Sequence, residues 1–509
     1  MRLDVYSHNV AVSDIGGQEG LEALFQFCRP LVEMGLERLP GGRFRQVPLK
    51  TYAAALADRS VFRFHVNQLD DLVHHLGNRG FTGDRLLVVV HQLTPHDFPA
   101  VEHLWISPKA PRDLQPSIIE YVLAQGPGKM VTLQTGKGKT FIAMWSSYQL
   151  GLRTLYTFKG GFVEKWNSDI STHFDLEAGE LLVVRGSGGL VKLMEMALEE
   201  RLYAKSVIIS TRTMMDYIKD YETHNGKSKI YPVPAPEFHR TLGFGFHVKD
   251  ELHMEFHLNF KMELYTHTLK TLALSATMTS SDNFKNRMYD IAYPVQKRND
   301  GGGYDAYIAV SALKYQFENP KLVRYKGGTG AYSHDTFEKS LMAKKSTVLP
   351  NYLRLINFVV QNKFIRVREE GQKMLIFCYS VDLCTMVVEY LQKLHPTLNI
   401  LRYCGTQGDS YDEFIEADIG VSTVLSAGTA VDIPNLRLTF MTTAIDSRQS
   451  NEQALGRTRK LVDFPEVTPE FLYLVCEDID KHENYHRNKQ EFFKGKVISH
   501  KELRIPFSI

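Results

Sequence analysis

From about residue 112 the chain alternates short, unbroken runs of Val, Ile and Leu with longer stretches of helical period. The first series of runs falls at 130–134, 153–158, 181–185, 206–211 and 271–277. Runs without in–out alternation suit strands buried on both faces of a parallel sheet, with helices crossing between them. The rhythm resumes at 373–380, 399–404, 418–423, 436–443 and 470–477, predicting a second sheet of the same kind. Between the two series, Gly301-Gly302-Gly303 and Gly327-Gly328 mark loops, so 286–350 reads as a connector or elaboration rather than a third sheet.

Residues 1–105 have a different texture. Leu69, Leu72, Val73 and Leu76 recur at helical spacing, and Leu86–Val90 reads as a buried strand. Prolines at 95, 99, 108, 111 and 116 suggest a linker out of this part. The expected class is α/β: two tandem domains with parallel sheets plus a small α+β amino-terminal domain. The expected boundaries are 1–105, 106–285, a connector at 286–350, and 351–509, whose end is locally basic.

Composition narrows the function classes. The 509 residues suit about three domains, each able to bury a core. Sixty basic residues face 58 acidic ones, a net charge of +2, so any nucleic-acid surface must be local. The five cysteines are scattered, with no C-x-x-C pair, and the amino terminus does not read as a signal peptide. No stretch approaches the ~18–20 apolar residues of a membrane span. A cytoplasmic protein with no membrane partner is expected.

The sharpest local chemistry is Leu133-Gln134-Thr135-Gly136-Lys137-Gly138-Lys139-Thr140. A strand feeds a turn with two glycines, and a helix starts at Lys139 and ends at Gly151. Glycines let backbone amides wrap a phosphate, and the helix amino end adds partial positive charge. Lys139 would meet the β/γ-phosphates and the Thr140 hydroxyl would ligate Mg²⁺. The strict phosphate-loop pattern has Gly at the position of Leu133.

Downstream lies Lys249-Asp250-Glu251-Leu252-His253. Adjacent carboxylates after a strand can divide labour: Asp250 toward the metal, Glu251 toward the attacking water. The bland alternative is a solvated charged turn. A zinc pair, His253 and His257 with Glu255 between them, fails the zincin spacing because Met254 follows the first histidine. The strand before Asp250, Phe246-His247-Val248-Lys249, is less apolar than a central strand should be. Much later, Ser450–Lys460 places Gln453, Gly456 and Arg457 on an expected helix, where an arginine could stabilise charge on a transferring phosphoryl group.

Taken in order, these segments resemble the superfamily 2 helicases and translocases of the DExH-box type, over about 110–480. Arg112-Asp113-Leu114-Gln115 resembles the adenine-reading glutamine element, and the phosphate loop resembles motif I. Leu155–Trp166 resembles motif Ia and Ser210-Thr211 motif Ib. Asp250–His253 looks like motif II, Ser275-Ala276-Thr277 like motif III and Met374–Tyr379 like motif IV. The segment Thr423 to Pro434 looks like motif V, and Gln453–Arg457 like motif VI. The Leu before the loop and the form of motif V look most like phage UvsW-type DNA helicases, whose small amino-terminal domain contacts nucleic acid.

The resemblance implies two RecA-like domains acting on ATP and Mg²⁺, with Lys139, Thr140, Asp250 and Glu251 from one and Gln453 and Arg457 from the other. It places Gln115, Thr135, Gly136, Lys137, Gly138, Asp432, Arg459 and Lys460 around the nucleotide. His253, Ser275 and Thr277 would couple nucleotide state to motion, and Lys159, Thr211, Arg212 and Thr423 would meet nucleic acid. Two departures stand out: the second motif VI arginine falls at Lys460, with Arg459 one position short, and Lys159-Gly160-Gly161 replaces the common Pro-Thr of motif Ia. The implied activity is ATP-dependent unwinding or branch migration of DNA, with replication or recombination proteins as partners. An RNA helicase, or an ATP-switched binding module without processive unwinding, are the alternatives.

Overall fold

Three of the strands that the sequence shows as largely apolar runs are buried along their whole length. Thr154–Phe158, Lys270–Ser275 and Lys373–Cys378 have no exposed residue, which is why none of them shows a polar face. The computed structural model describes residues 1–38, 44–134, 136–276, 278, 282–301, 305–328, 330–404, 407–408, 410–424, 426 and 433–509. The chain divides into two compact units, Met1–Leu133 with Lys137–Gly302, and Gly303–Ile509 with Gln134–Gly136.

The first unit holds a seven-stranded sheet. Its order is Leu181–Val184, Ser206–Ser210, Thr154–Phe158, Phe246–Lys249, Lys270–Ser275, Gly128–Thr132 and Arg298–Asn299. Every neighbouring pair is parallel. Crossing helices connect the strands, as parallel pairing requires.

The second unit holds an eight-stranded sheet in the order Gln407–Gly408, Ile400–Cys404, Ile419–Thr423, Lys373–Cys378, Leu436–Met441, Glu470–Cys476, Ala309–Tyr315 and Ser499–Arg504. Only the pair Gln407–Gly408 and Ile400–Cys404 is antiparallel. The stretch expected as a connector therefore supplies strands to both sheets: Arg298–Asn299 to the first, and Ala309–Tyr315 between Glu470–Cys476 and Ser499–Arg504. No separate third sheet forms there among the described residues.

The amino-terminal part is a five-stranded sheet in the order Ala54–Ala55, Phe62–His65, Asn9–Ser13, Arg2–Val5 and Leu87–Val90, with a separate hairpin of Val32–Arg38 and Phe44–Thr51. The helix expected around Leu69–Leu76 is Leu69–Gly77, burying Leu72 and Leu76. Leu87–Val90 corrects an expectation. It is an edge strand pairing only with Arg2–Val5, and Leu87 and Val90 are 54% and 61% exposed.

This sheet belongs to the first unit and shares its core, which runs from Leu3, Val12 and Phe64 through Leu252, Phe256 and Phe260. Polar contacts join the two as well: His8 Nε2 lies 2.9 Å from Thr271 Oγ1, and Asn9 Nδ2 donates to Thr266 O at 2.9 Å. The proline-rich stretch is likewise fixed to the unit. Leu104–Trp105 pairs with Phe174–Asp175, and Val101 N donates to Gly151 O at 2.9 Å.

Candidate functional site

The strand Gly128–Thr132 ends one loop before the helix Lys139–Leu150. Gly136 has φ +89° and Gly138 φ +82°, both in the left-handed region where a side chain is strained. A Cβ on Gly138 would also lie 2.4 Å from Gln115 Nε2. Gln115 starts the helix Gln115–Leu123; its Oε1 accepts from Arg112 N at 3.1 Å and its Nε2 donates to Lys137 O at 3.2 Å. The glutamine element is thus hydrogen-bonded to the glycine loop. Leu133, where the strict pattern has Gly, is buried; a Cβ on Gly301 would come within 2.1 Å of its Cδ2, so the glycine at 301 makes room for it. Gly151 ends the helix at φ +59°, as the sequence predicts.

The acidic segment leaves the strand Phe246–Lys249 in the middle of the sheet, between Thr154–Phe158 and Lys270–Ser275. That strand tolerates its polar residues because each is satisfied: His247 Nε2 lies 2.8 Å from Thr157 Oγ1, and Lys249 Nζ lies 2.7 Å from Glu263 Oε1. Asp250 is buried; its Oδ2 accepts from Trp166 Nε1 at 3.0 Å and its Oδ1 from Glu251 N at 2.8 Å. Burial, then the neighbouring Glu251 charge, raise the Asp250 carboxyl above its usual range, with Lys139 opposing. Trp166 has no signal in the sequence beyond its place in the motif Ia segment, because its partner is 84 residues away.

Glu251 is held at φ +46°, a conformation that costs a non-glycine residue on the order of 1–3 kcal/mol and is kept where the surroundings impose it. Its Oε1 lies 3.9 Å from Lys139 Nζ and its Oε2 3.4 Å from His253 Nδ1. Lys139 Nζ also donates to Leu133 O at 3.2 Å. His253 Nδ1 is 2.6 Å from Ser275 Oγ, at the end of the strand between the acidic strand and the phosphate-loop strand. Lys139, Glu251, His253 and Ser275 therefore lie in a row, the first two steps being charge contacts longer than hydrogen bonds and the last a hydrogen bond. Thr140, the second residue of the helix, is partly exposed. His257 Nε2 is bonded to Thr51 O at 3.1 Å.

Other expected residues divide. Lys159 and Arg212 are exposed, as a strand contact needs. Thr211 is fully buried in the first turn of Thr211–Thr223. Thr423 is also buried, and its Oγ1 donates to Ser426 Oγ at 2.9 Å and accepts from Ser426 N at 3.2 Å, closing a turn. In the second unit the helix is Arg448–Leu455, with Gly456 as its cap, so Gly456 and Arg457 lie just past the helix and not on it. Gln453 and Arg459 are partly buried and Arg457 is buried. Lys460 is exposed and is tied within its own unit, 3.1 Å from Asp305 and over the Tyr307 ring. Thr135, Thr277 and Asp432 lie outside the described residues.

Two parallel sheets with crossing helices, the first carrying a glycine loop and an acidic pair at its strand ends, define tandem RecA-like units. Solved structures share this fold. A fragment of a putative HsdR subunit of a type I restriction enzyme from Vibrio vulnificus matches with a TM-score of 0.51 at 14% identity, over 87% of this chain and 78% of that one. An S. cerevisiae Dbp5 variant bound to RNA and ADP BeF3 matches with a TM-score of 0.50 at 11% identity, over 78% and 90%. At such identities the likeness is one of fold. No protein-family model matches the sequence, and no curated protein matches it. Among the described residues no helix is long and apolar enough to cross a membrane.

Proposed function

We propose that the protein is a nucleic-acid-dependent ATPase that couples ATP hydrolysis to unwinding or branch migration of DNA. The observation that carries the ATPase reading is the row Lys139–Glu251–His253–Ser275, which sets a glycine phosphate loop beside an acidic pair across adjacent strand ends. The residues fit a magnesium nucleotide: the left-handed glycines Gly136 and Gly138 let the loop turn tightly before the helix, and the buried Asp250 and the Thr140 hydroxyl are hard oxygen donors. Bound there, Mg²⁺ would neutralise charge on the phosphates.

Gly136, Lys137, Gly138 and Lys139 would cradle the phosphates, and Gln115 would face the base. Glu251 would orient the attacking water and accept its proton. Arg457, with Gln453, would add a positive or polar group from the second unit where phosphoryl charge spreads. Lys159 and Arg212 would bind phosphodiester oxygens, making affinity fall with salt. His253 and Ser275 would relay the state of Glu251 to the neighbouring strand.

The test is nucleotide binding and turnover in three proteins. Lys139→Ala is expected to lose turnover together with ATP affinity. Glu251→Gln is expected to bind ATP like the parent and to lose turnover by at least about 10²-fold. Near-parental hydrolysis by Glu251→Gln would remove Glu251 from the role of base. RNA-only stimulation would replace DNA with RNA as substrate.

A further inference from the structure

Lys249 is the last residue of the strand that delivers the acidic pair, and its side chain has no exposed surface. Its ammonium ends on Glu263, the last residue of the helix Phe256–Glu263, at 2.7 Å. Glu263 is itself 1% exposed and collects two further donors. His65 Nε2 reaches its Oε2 at 3.0 Å, and the Tyr293 hydroxyl donates to its Oε1. His65 Nδ1 accepts from Asn67 N at 3.2 Å, so the ring proton is on Nε2, aimed at Glu263.

A buried ion pair is a poor stability device, because apolar side chains of the same volume do as well without the desolvation cost. What it supplies is a fixed position, set by charge and direction. Here four elements meet on one carboxylate: the strand before Asp250, the helix after it, the strand Phe62–His65 of the amino-terminal sheet, and Tyr293 just past the helix Asn283–Ala292. The neighbouring strand Lys270–Ser275, which ends in the Ser275 bonded to His253, is held by the same sheet through His8 and Thr271 at 2.9 Å. The strand 270–275 is therefore tied directly, through Thr271, and the strand 246–249 indirectly, through Lys249 and Glu263, to buried polar groups of the amino-terminal part.

We propose that Glu263 is a positioning residue for the acidic pair and that, through His65, it links the amino-terminal sheet to nucleotide turnover. The proposal rests on the ATPase reading above. Its mechanical half, that His65 holds the strand 246–249 in place, stands without that reading.

The experiment compares His65→Leu, His65→Gln and the parent full-length protein. Leu removes the donor to Glu263, and Gln restores one. The expected result is a kcat for ATP lowered about fivefold or more in His65→Leu, with KM within twofold, and kcat recovered in His65→Gln. Hydrogen exchange of the 246–253 amides should quicken in His65→Leu and return toward the parent in His65→Gln. Unchanged exchange there would overturn the link, as would a His65→Leu enzyme of parental kcat. A general loss of thermal stability that His65→Gln shares equally would overturn it too, since that is packing alone. If the parent shows no ATP turnover, the proposed function fails, and the exchange comparison still decides the linkage.

Discussion

At position 138 two demands fall on one residue. The backbone there is left-handed, and a Cβ would strike the Gln115 amide that is bonded to Lys137 O. Gly138→Ala should meet a backbone penalty of about 1–2 kcal/mol and push Gln115 off the loop. The expected outcome is a folded protein by circular dichroism whose ATP affinity is lower by roughly tenfold; parental affinity in titration calorimetry would contradict it. Glu251 presents the opposite case, a side chain kept at φ +46° where glycine would relax. Replacing it with Gly should raise thermal stability while ending turnover, and a lower melting temperature would show that its contacts with Lys139 and His253 outweigh the strain. The loop and the acidic pair were legible in the sequence because their residues are adjacent along the chain. Trp166 and Glu263 were not, because each acts on a partner that only the folded sheet brings near.

At the scale of elements, periodicity located the strands well where both faces are buried. Thr154–Phe158 and Ile419–Thr423 fall within the expected runs 153–158 and 418–423. It failed where context decides. Leu87–Val90 looks like a core strand and lies at an edge, and Ala309–Tyr315 sits among loop signals yet pairs with Glu470–Cys476 and Ser499–Arg504, more than 150 residues on. That last seam carries a charge device. Glu502 joins Lys314 at 2.9 Å and His486 at 2.9 Å, and these two partners, His486 foremost, hold its carboxyl down at about 2. A depressed carboxylate adds stability above its unfolded value near 4.5 and loses it as pH falls toward 2. Glu502→Gln should lower the urea midpoint at pH 7, and the gap to the parent should close between about pH 4.5 and pH 2. A gap that persists at the acid end would assign the effect to packing.

At the scale of the whole molecule, a net charge of +2 leaves any polyanion contact to local groups such as Lys159 and Arg212. The amino-terminal sheet is a part of the first unit and not an appendage, which composition could not reveal because the joint is made by single polar residues, His8, Asn9 and His65, amid ordinary core. The role proposed for Arg457 is tested by Arg457→Ala, expected to keep ATP affinity within several-fold and to lower kcat about 10²-fold or more. An unchanged kcat would mean that Arg457 plays no part in the chemistry. Whether nucleic acid drives ATP hydrolysis at the proposed Lys139–Glu251 site is measured most directly by the steady-state hydrolysis rate with and without single-stranded, forked and four-way DNA and matched RNA, across a salt series. The rate is expected to rise with DNA, the stimulation to decline as salt increases, and Glu251→Gln to show no stimulated rate; a rate indifferent to every nucleic acid would mean that the site is not driven by nucleic acid.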